Sequence, residues 1–469
     1  MAAGAQQAGH GPWKKLEGFE PDYVPSGHSI LTVTEKISSL VLRPGFPLGW
    51  LGLFAVSGAL LAVLLVAVAY LLAVGVGIWG INIPVAWGFA ITDFVWWIGI
   101  GHAGTLISAF LLLMHQQWRT SINRIAEAMT IFAVMCAGMF PLLHLGRPWF
   151  FYWLLPYPNT MALWPQFRSA LVWDVFAVST YFLVSLIFWY VGMIPDLATL
   201  RDRAQSRLAR VAFGMAALGW RNSARHWHRY ERTYLLLGGL ATPLVISVHS
   251  VVSSDFAISL MPAWHETVYP PYFVAGAIFS GFAMVIALCI PIRHFYGVKD
   301  LITLDHLDVM GKLLLATAFL TSYGYLSEQF ISWYAGEVYE SHVYWYRLTD
   351  VNKYAVMTWL IVLCNTIAPQ VLWSRTLRRN ELVLFLISLV VLAGMWLERF
   401  MIITSSLAED FLPSSWGFFK PTIWDILTYL GSLGLFFAAF LLFARFLPII
   451  SMSETRALLP ESHGPEVGR

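Results

Sequence analysis

The residues of this sequence that could do chemistry are ionisable side chains set inside long apolar runs. Burying such a group in a bilayer costs roughly 2.5–3.5 kcal/mol, so each needs a partner or a use. His144 closes one apolar run, and Asp174 lies one to two turns into the next, in SALVWDVFAVSTYF, with apolar neighbours on both sides. An imidazole of ordinary pKa about 6.5 can take a proton near neutrality, and a carboxylate raised by desolvation can take another. Consecutive antiparallel helices would bring the two together as a proton-accepting pair. Arg147 sits close by in the sequence, where it would orient the carboxylate or a partner, or contact a headgroup or a loop carbonyl. Asp93 is a supporting candidate.

A second polar stretch, SVHSVVSSD, holds His249 and Asp255. Six residues apart, they point about 120° from one another on a helix. They could line a shared hydrated proton path only with help from Ser250, Ser253 and Ser254, and that path is expected to lie apart from the His144 and Asp174 pocket. His102, Glu328, Arg399 and Asp425 are further candidates for the path. Adjacent Glu398 and Arg399 point to different helix faces, so one of them can snorkel to the interface. Asp425, at a helix start, can instead complement the helix dipole.

Metal and haem chemistry find little support. Cys136, Cys289 and Cys364 stand alone and form no CxxC pair, so neither an iron–sulfur cluster nor a disulfide is indicated. Bound haem in a helical bundle needs histidines on two helices, and only His102 and His115 share one. No metal site is expected in this chain.

The elements that position these groups are transmembrane helices. Of 469 residues, 58% are hydrophobic and only 12% charged. A span needs about 20 apolar residues, and ten candidates fall at 48–74, 86–114, 125–143, 167–194, 232–260, 272–293, 310–334, 353–374, 381–403 and 421–447. With the N-terminus inside, 23 of the 29 Lys and Arg fall on inner segments, a bias that supports an even number of spans with both termini cytoplasmic. His144, Asp174, His249, Asp255, Glu328, Arg399 and Asp425 then all approach the outer side, and only His102 is near mid-membrane. The first 45 residues read as a polar cytoplasmic tail with no cleaved signal. Many of the 22 tryptophans lie near helix ends as interfacial anchors. The Arg-rich inner loop 195–231 reads as a surface-lying amphipathic helix on anionic lipid, or a docking face. No nucleic-acid partner is expected.

HLGRPWF (His144 to Phe150) ends a span, an aromatic-rich loop follows, and FRSALVWD (Phe167 to Asp174) opens the next span. This arrangement resembles the NrfD/PsrC family. The family usually has an acid where this chain has His144. That departure, the ten spans and WWIGIGHAGTLISA (Trp96 to Ala109) look most like the ActC branch found in bacterial alternative complex III, with the paralogous ActF branch as the near alternative. The resemblance implies an all-α polytopic fold with two four-helix bundles and two flanking helices. It divides the chain into a tail over 1–45, a first helix and outer loop over 46–85, a quinol-site bundle over 86–260, a second bundle over 261–403, a last helix over 404–447 and a C-terminal tail over 448–469. It also implies a substrate, menaquinol or ubiquinol, oxidised at an outer-side site built from His144, Asp174, Arg147 and Asp93. Electrons would leave to an outer-side iron–sulfur protein and then to c-type cytochrome subunits, with a paralogous membrane subunit and a terminal oxidase as further partners. Haem and iron–sulfur clusters are expected only in those partners, and the whole assembly in the bacterial inner membrane.

Two other classes compete. A secondary transporter would place substrate residues at the midplane with matched Gly or Pro interruptions in two halves, and neither is evident. A scaffold subunit would leave His144 and Asp174 dispensable.

Overall fold

A computed structural model describes residues 23, 27–155 and 167–459. The chain is an all-α polytopic membrane protein: ten helices are long and apolar enough to cross a bilayer, and no strand occurs among the described residues. They are α2 (Leu48–Val74), α3 (Phe89–Leu113), α4 (Asn123–His144), α5 (Ala170–Arg203), α7 (Ala224–Ala257), α8 (Tyr269–Phe295), α9 (Leu304–Ala335), α11 (Ala355–Trp373), α12 (Glu381–Ala408) and α13 (Ile423–Phe446). Shorter helices flank them, among them α1 (Ile30–Leu42), α6 (Arg207–Ala216), α10 (Val338–Thr349) and α14 (Met452–Ala457).

Helices α3, α4, α5 and α7 pack on one another, α8, α9, α11 and α12 form a second group, and α3 against α8 joins the two. Burial follows this order, with 83% of the apolar window of α8 and 78% of that of α3 inside the protein but only 17% of that of α2. Apolar helices in lipid gain little by hiding apolar surface from one another, so close backbone approach must hold them. Small residues supply it. A Cβ on Gly431 or Gly434 of α13 would lie 2.5 Å from the Cβ of Leu64 or Leu60 on α2. On α3, a Cβ at Gly104 would lie 2.1 Å from the Ala126 carbonyl oxygen of α4, and the Thr130 hydroxyl donates to the Gly101 carbonyl at 2.7 Å.

Two segments outside the spans are folded. Within the supposed tail 1–45, α1 is capped by Ser29, whose hydroxyl accepts from the Thr32 amide, and it buries Val33, Ile37 and Val41, an i, i+4, i+8 stripe. That stripe docks α1 against α13 and α14, so this part of the tail belongs to the folded body. On the opposite side of the membrane, α10 fills the connection between α9 and α11, and it buries Val343, Tyr344, Tyr346 and Arg347.

Candidate functional site

His144 is the last residue of α4, Asp174 the fifth of α5, and Asp255 lies in the last turn of α7, so the three sit at the same end of antiparallel helices. Asp174 and Asp255 turn their carboxyls toward each other within interaction range. Among the described residues, buried Oδ1 of each has no hydrogen-bond partner, and neither does Nδ1 of His144. The His144 ring lies nearly parallel to that of Trp79, with centroids 6.4 Å apart, and the Trp79 Nε1 is likewise buried and unpartnered.

Two expectations of geometry concern this end of the bundle. His144 and Asp174 share an end of the bundle; Trp79 is the ring against His144, and Asp255 is the group facing Asp174. The path expected to run through His249 and Asp255 is divided, because His249 points to α3 and α8 while Asp255 points to α5. The division follows from the 120° between the two positions of one helix. The serines between them do not bridge the gap, because Ser253 and Ser254 both donate to the Ser250 carbonyl, at 2.7 and 2.8 Å.

The fully buried His249 ring meets His102 edge to face, with centroids 4.5 Å apart, and Phe273 at 5.8 Å. His102 Nδ1 contacts the Ile98 carbonyl at 2.7 Å, and Tyr181 donates to the Gly101 carbonyl at 2.9 Å. The Arg399 guanidinium stacks 3.9 Å from the Phe273 ring centroid and pairs with Glu398 at 3.1 Å. Glu398 and Arg399 are therefore both buried, at 0% and 2% exposure, and neither snorkels. Glu398 also accepts from Tyr272 at 2.5 Å and Tyr325 at 2.8 Å.

Glu328 continues this polar chain. It is buried and interacts with Tyr269, Glu266 and Arg347. Arg347 donates to the Ser405 and Ser406 hydroxyls at 2.7 and 2.9 Å, and Tyr344 donates to Glu266 at 2.5 Å. Burial pushes the Glu266 carboxyl up to about 7 and also raises Glu340, which faces it from α10. Nothing in the sequence marks Glu266, an acid between two spans that is buried only once Tyr344 and Glu340 of α10 pack against it.

The other expected residues lie elsewhere. Asp93 is fully buried but accepts from Trp396 at 2.8 Å, away from Asp174. Arg147 is exposed beside the aromatic turn Pro148–Leu154; the rest of that loop, 156–166, lies outside the described residues. Asp425 accepts from the Gly80 amide at 2.8 Å and from the Thr422 amide at 2.8 Å and hydroxyl at 3.0 Å. That is the geometry of a helix cap, which accounts for this buried acid without a proton path. Among the described residues, no three His, Cys, Asp or Glu side chains gather to hold a metal ion.

Residues 77–409, which carry every one of these groups except Asp425 and its partner Thr422, match the family model described as polysulphide reductase, NrfD. The chain belongs to the NrfD family. It is 28% identical over 270 residues to a putative dimethyl sulfoxide reductase membrane subunit of Halobacterium salinarum, covering 57% of this chain and 56% of the relative. It is 24% identical over 212 residues to a selenate reductase subunit of Mesobacillus selenatarsenatis, covering 43% of this chain and 47% of the relative. The NrfD-family chain thus spans about half the length of the curated relatives it matches.

Proposed function

We propose that this NrfD-family chain is the quinol-oxidising membrane subunit of a respiratory quinol dehydrogenase complex. The observation that carries this reading is the group of three proton-accepting atoms, buried and unpartnered, on His144, Asp174 and Asp255 at one end of α4, α5 and α7. A quinol that becomes a quinone gives up two protons and two electrons. Its two hydroxyls would donate to His144 on one side and to the Asp174 and Asp255 pair on the other. Two carboxyls facing each other do not easily carry two charges, so they share a proton and one of them remains an acceptor. Trp79 offers a flat face for the quinone ring.

Electrons would leave to an iron–sulfur partner on the same side, and the reductase names of two relatives fit such a supply of electrons to another subunit. His144 and the ten spans favour the ActC branch of alternative complex III, with menaquinol or ubiquinol as substrate and c-type cytochromes, a paralogous membrane subunit and a terminal oxidase as further partners. The basic inner loops favour a bacterial cytoplasmic membrane with both termini inside. The chain of His102, His249, Arg399, Glu398 and Glu328 supports proton movement within the subunit. That chain alone also suits the ActF-like alternative, a proton-conducting subunit without a quinol site.

The test is purification in mild detergent followed by Asp174→Asn and His144→Phe. Each substitution should lower quinol-dependent reduction of the co-purifying haems by roughly 10²–10⁴-fold, the usual contribution of a general acid–base group, with assembly intact. Near-normal rates in both variants would refute the quinol site.

A further inference from the structure

The basic face of the protein carries a cavity unrelated to the acidic pocket. It has a volume of about 130 Å³ and lies between the end of α5, the turn before α7 and α14. Arg201, Arg221, Arg456, Trp220 and Trp227 are among its lining residues. Both of its carboxylates are already answered. Asp202 pairs with Arg201 at 2.7 Å, and Asp196 accepts from the Met452 and Ser453 amides at 3.1 and 3.0 Å and pairs with Arg124 at 3.4 Å. Two cations keep unused donors, although Arg456 donates from Nη2 to the Thr199 hydroxyl at 3.5 Å. Arg221 is exposed and its guanidinium has no partner among the described residues, while Nε of Arg456 is buried and unpartnered. Burial holds the Arg456 pKa below the usual arginine range; the Asp196 carboxylate offsets part of this and the neighbouring Arg203 adds to it, so a further anion would relieve it.

The depth of the cavity says where that anion comes from. Helix α5 has 34 residues and so runs about 51 Å, against a hydrocarbon core of about 30 Å. Its last turns, which line the cavity, reach headgroup level. Beside them α6 leaves Leu208 80%, Val211 50% and Met215 71% exposed on one face, and it also carries Arg207 and Arg210. Such a helix lies in the interface with its apolar side among acyl chains.

We propose that this cavity binds the phosphate of an anionic diacyl phospholipid whose chains lie along the apolar face of α6. Arg221 and Arg456 supply the charge, Trp220 and Trp227 wall the headgroup, and α6 supplies the acyl contact. Basic pockets between membrane helices take anionic headgroups in this way.

The purified full-length protein, delipidated in detergent, would be incubated with phosphatidylglycerol, phosphatidylcholine or inorganic phosphate, and bound lipid read by native mass spectrometry and thermal shift. Phosphatidylglycerol should be retained at least about tenfold better than phosphatidylcholine, and Arg221→Gln should remove most of that preference. Arg221 has no side-chain partner to lose, so this variant separates binding from folding; Arg456→Gln should act in the same direction. Leu208→Ser with Met215→Ser should weaken retention of the diacyl lipid. Equal retention of the two lipids, or an unchanged preference in Arg221→Gln, would overturn the proposal. A thermal shift from inorganic phosphate equal to that from phosphatidylglycerol would overturn the lipid in favour of a free anion. Loss of a co-purifying protein in Arg221→Gln, with lipid retention unchanged, would overturn it in favour of a docking face.

Discussion

Asp174 of α5 and Asp255 of α7 face each other at the end of the first bundle, each with a buried oxygen that no other described group satisfies. The two are therefore expected to share a proton within one pocket. Asp255→Asn should then weaken quinol binding as well as turnover, raising KM and lowering kcat together. A normal KM with slow turnover would return Asp255 to a proton path distinct from the pocket.

The buried pair of Glu398 and Arg399 makes a different demand. Removing one partner leaves a buried charge, which typically costs about 3–5 kcal/mol. Arg399→Met should thus lower thermal stability sharply, and Glu398→Gln in the same chain should restore part of it. The two single variants and the double variant, melted side by side, form the cycle that measures this. Additive losses would show that the pair is not coupled.

Glu266 gives stability a pH dependence. Its carboxyl is pushed up to about 7 by burial from an ordinary 4.5, so between these values the folded chain binds more protons than the unfolded one. Stability must fall as pH rises through that window, by up to ~3 kcal/mol, and the full penalty is present above it. Glu266→Gln, which keeps an acceptor for Tyr344, should be no more stable than the parent at pH about 4 but more stable at pH about 8. Parallel stability curves for the two proteins would remove Glu266 as the cause.

Packing of the lipid-facing α2 rests on two glycines of α13. A Cβ at Gly431 would meet the Cβ and backbone of Leu64 at 2.5–2.9 Å. Gly431→Leu should push the helices apart and cost about 1–3 kcal/mol, the usual penalty of overpacking. Unchanged melting of the variant would mean that α2 contributes little to the folded body.

The helices and their number are legible in one dimension, because a bilayer enforces about 20 apolar residues per span and leaves the backbone no other way to satisfy itself. His144, Asp174, His249, Asp255, Glu328 and Arg399 stand out for the same reason, as charge inside an apolar run. Their partners were not visible. A helix shows which face a residue takes only relative to its own axis, and the rotation of α7 against α5 and α3 is set by packing. That rotation brings Asp255 to Asp174 and His249 to His102. Glu266 became a buried acid, with half-buried Glu340 of α10 facing it, only through packing between distant connections. Asp425 reads as one more buried acid until Gly80 and Thr422 are brought to it. Tertiary contacts settled these cases because desolvation and hydrogen bonding depend on neighbours that lie across space and far apart along the chain.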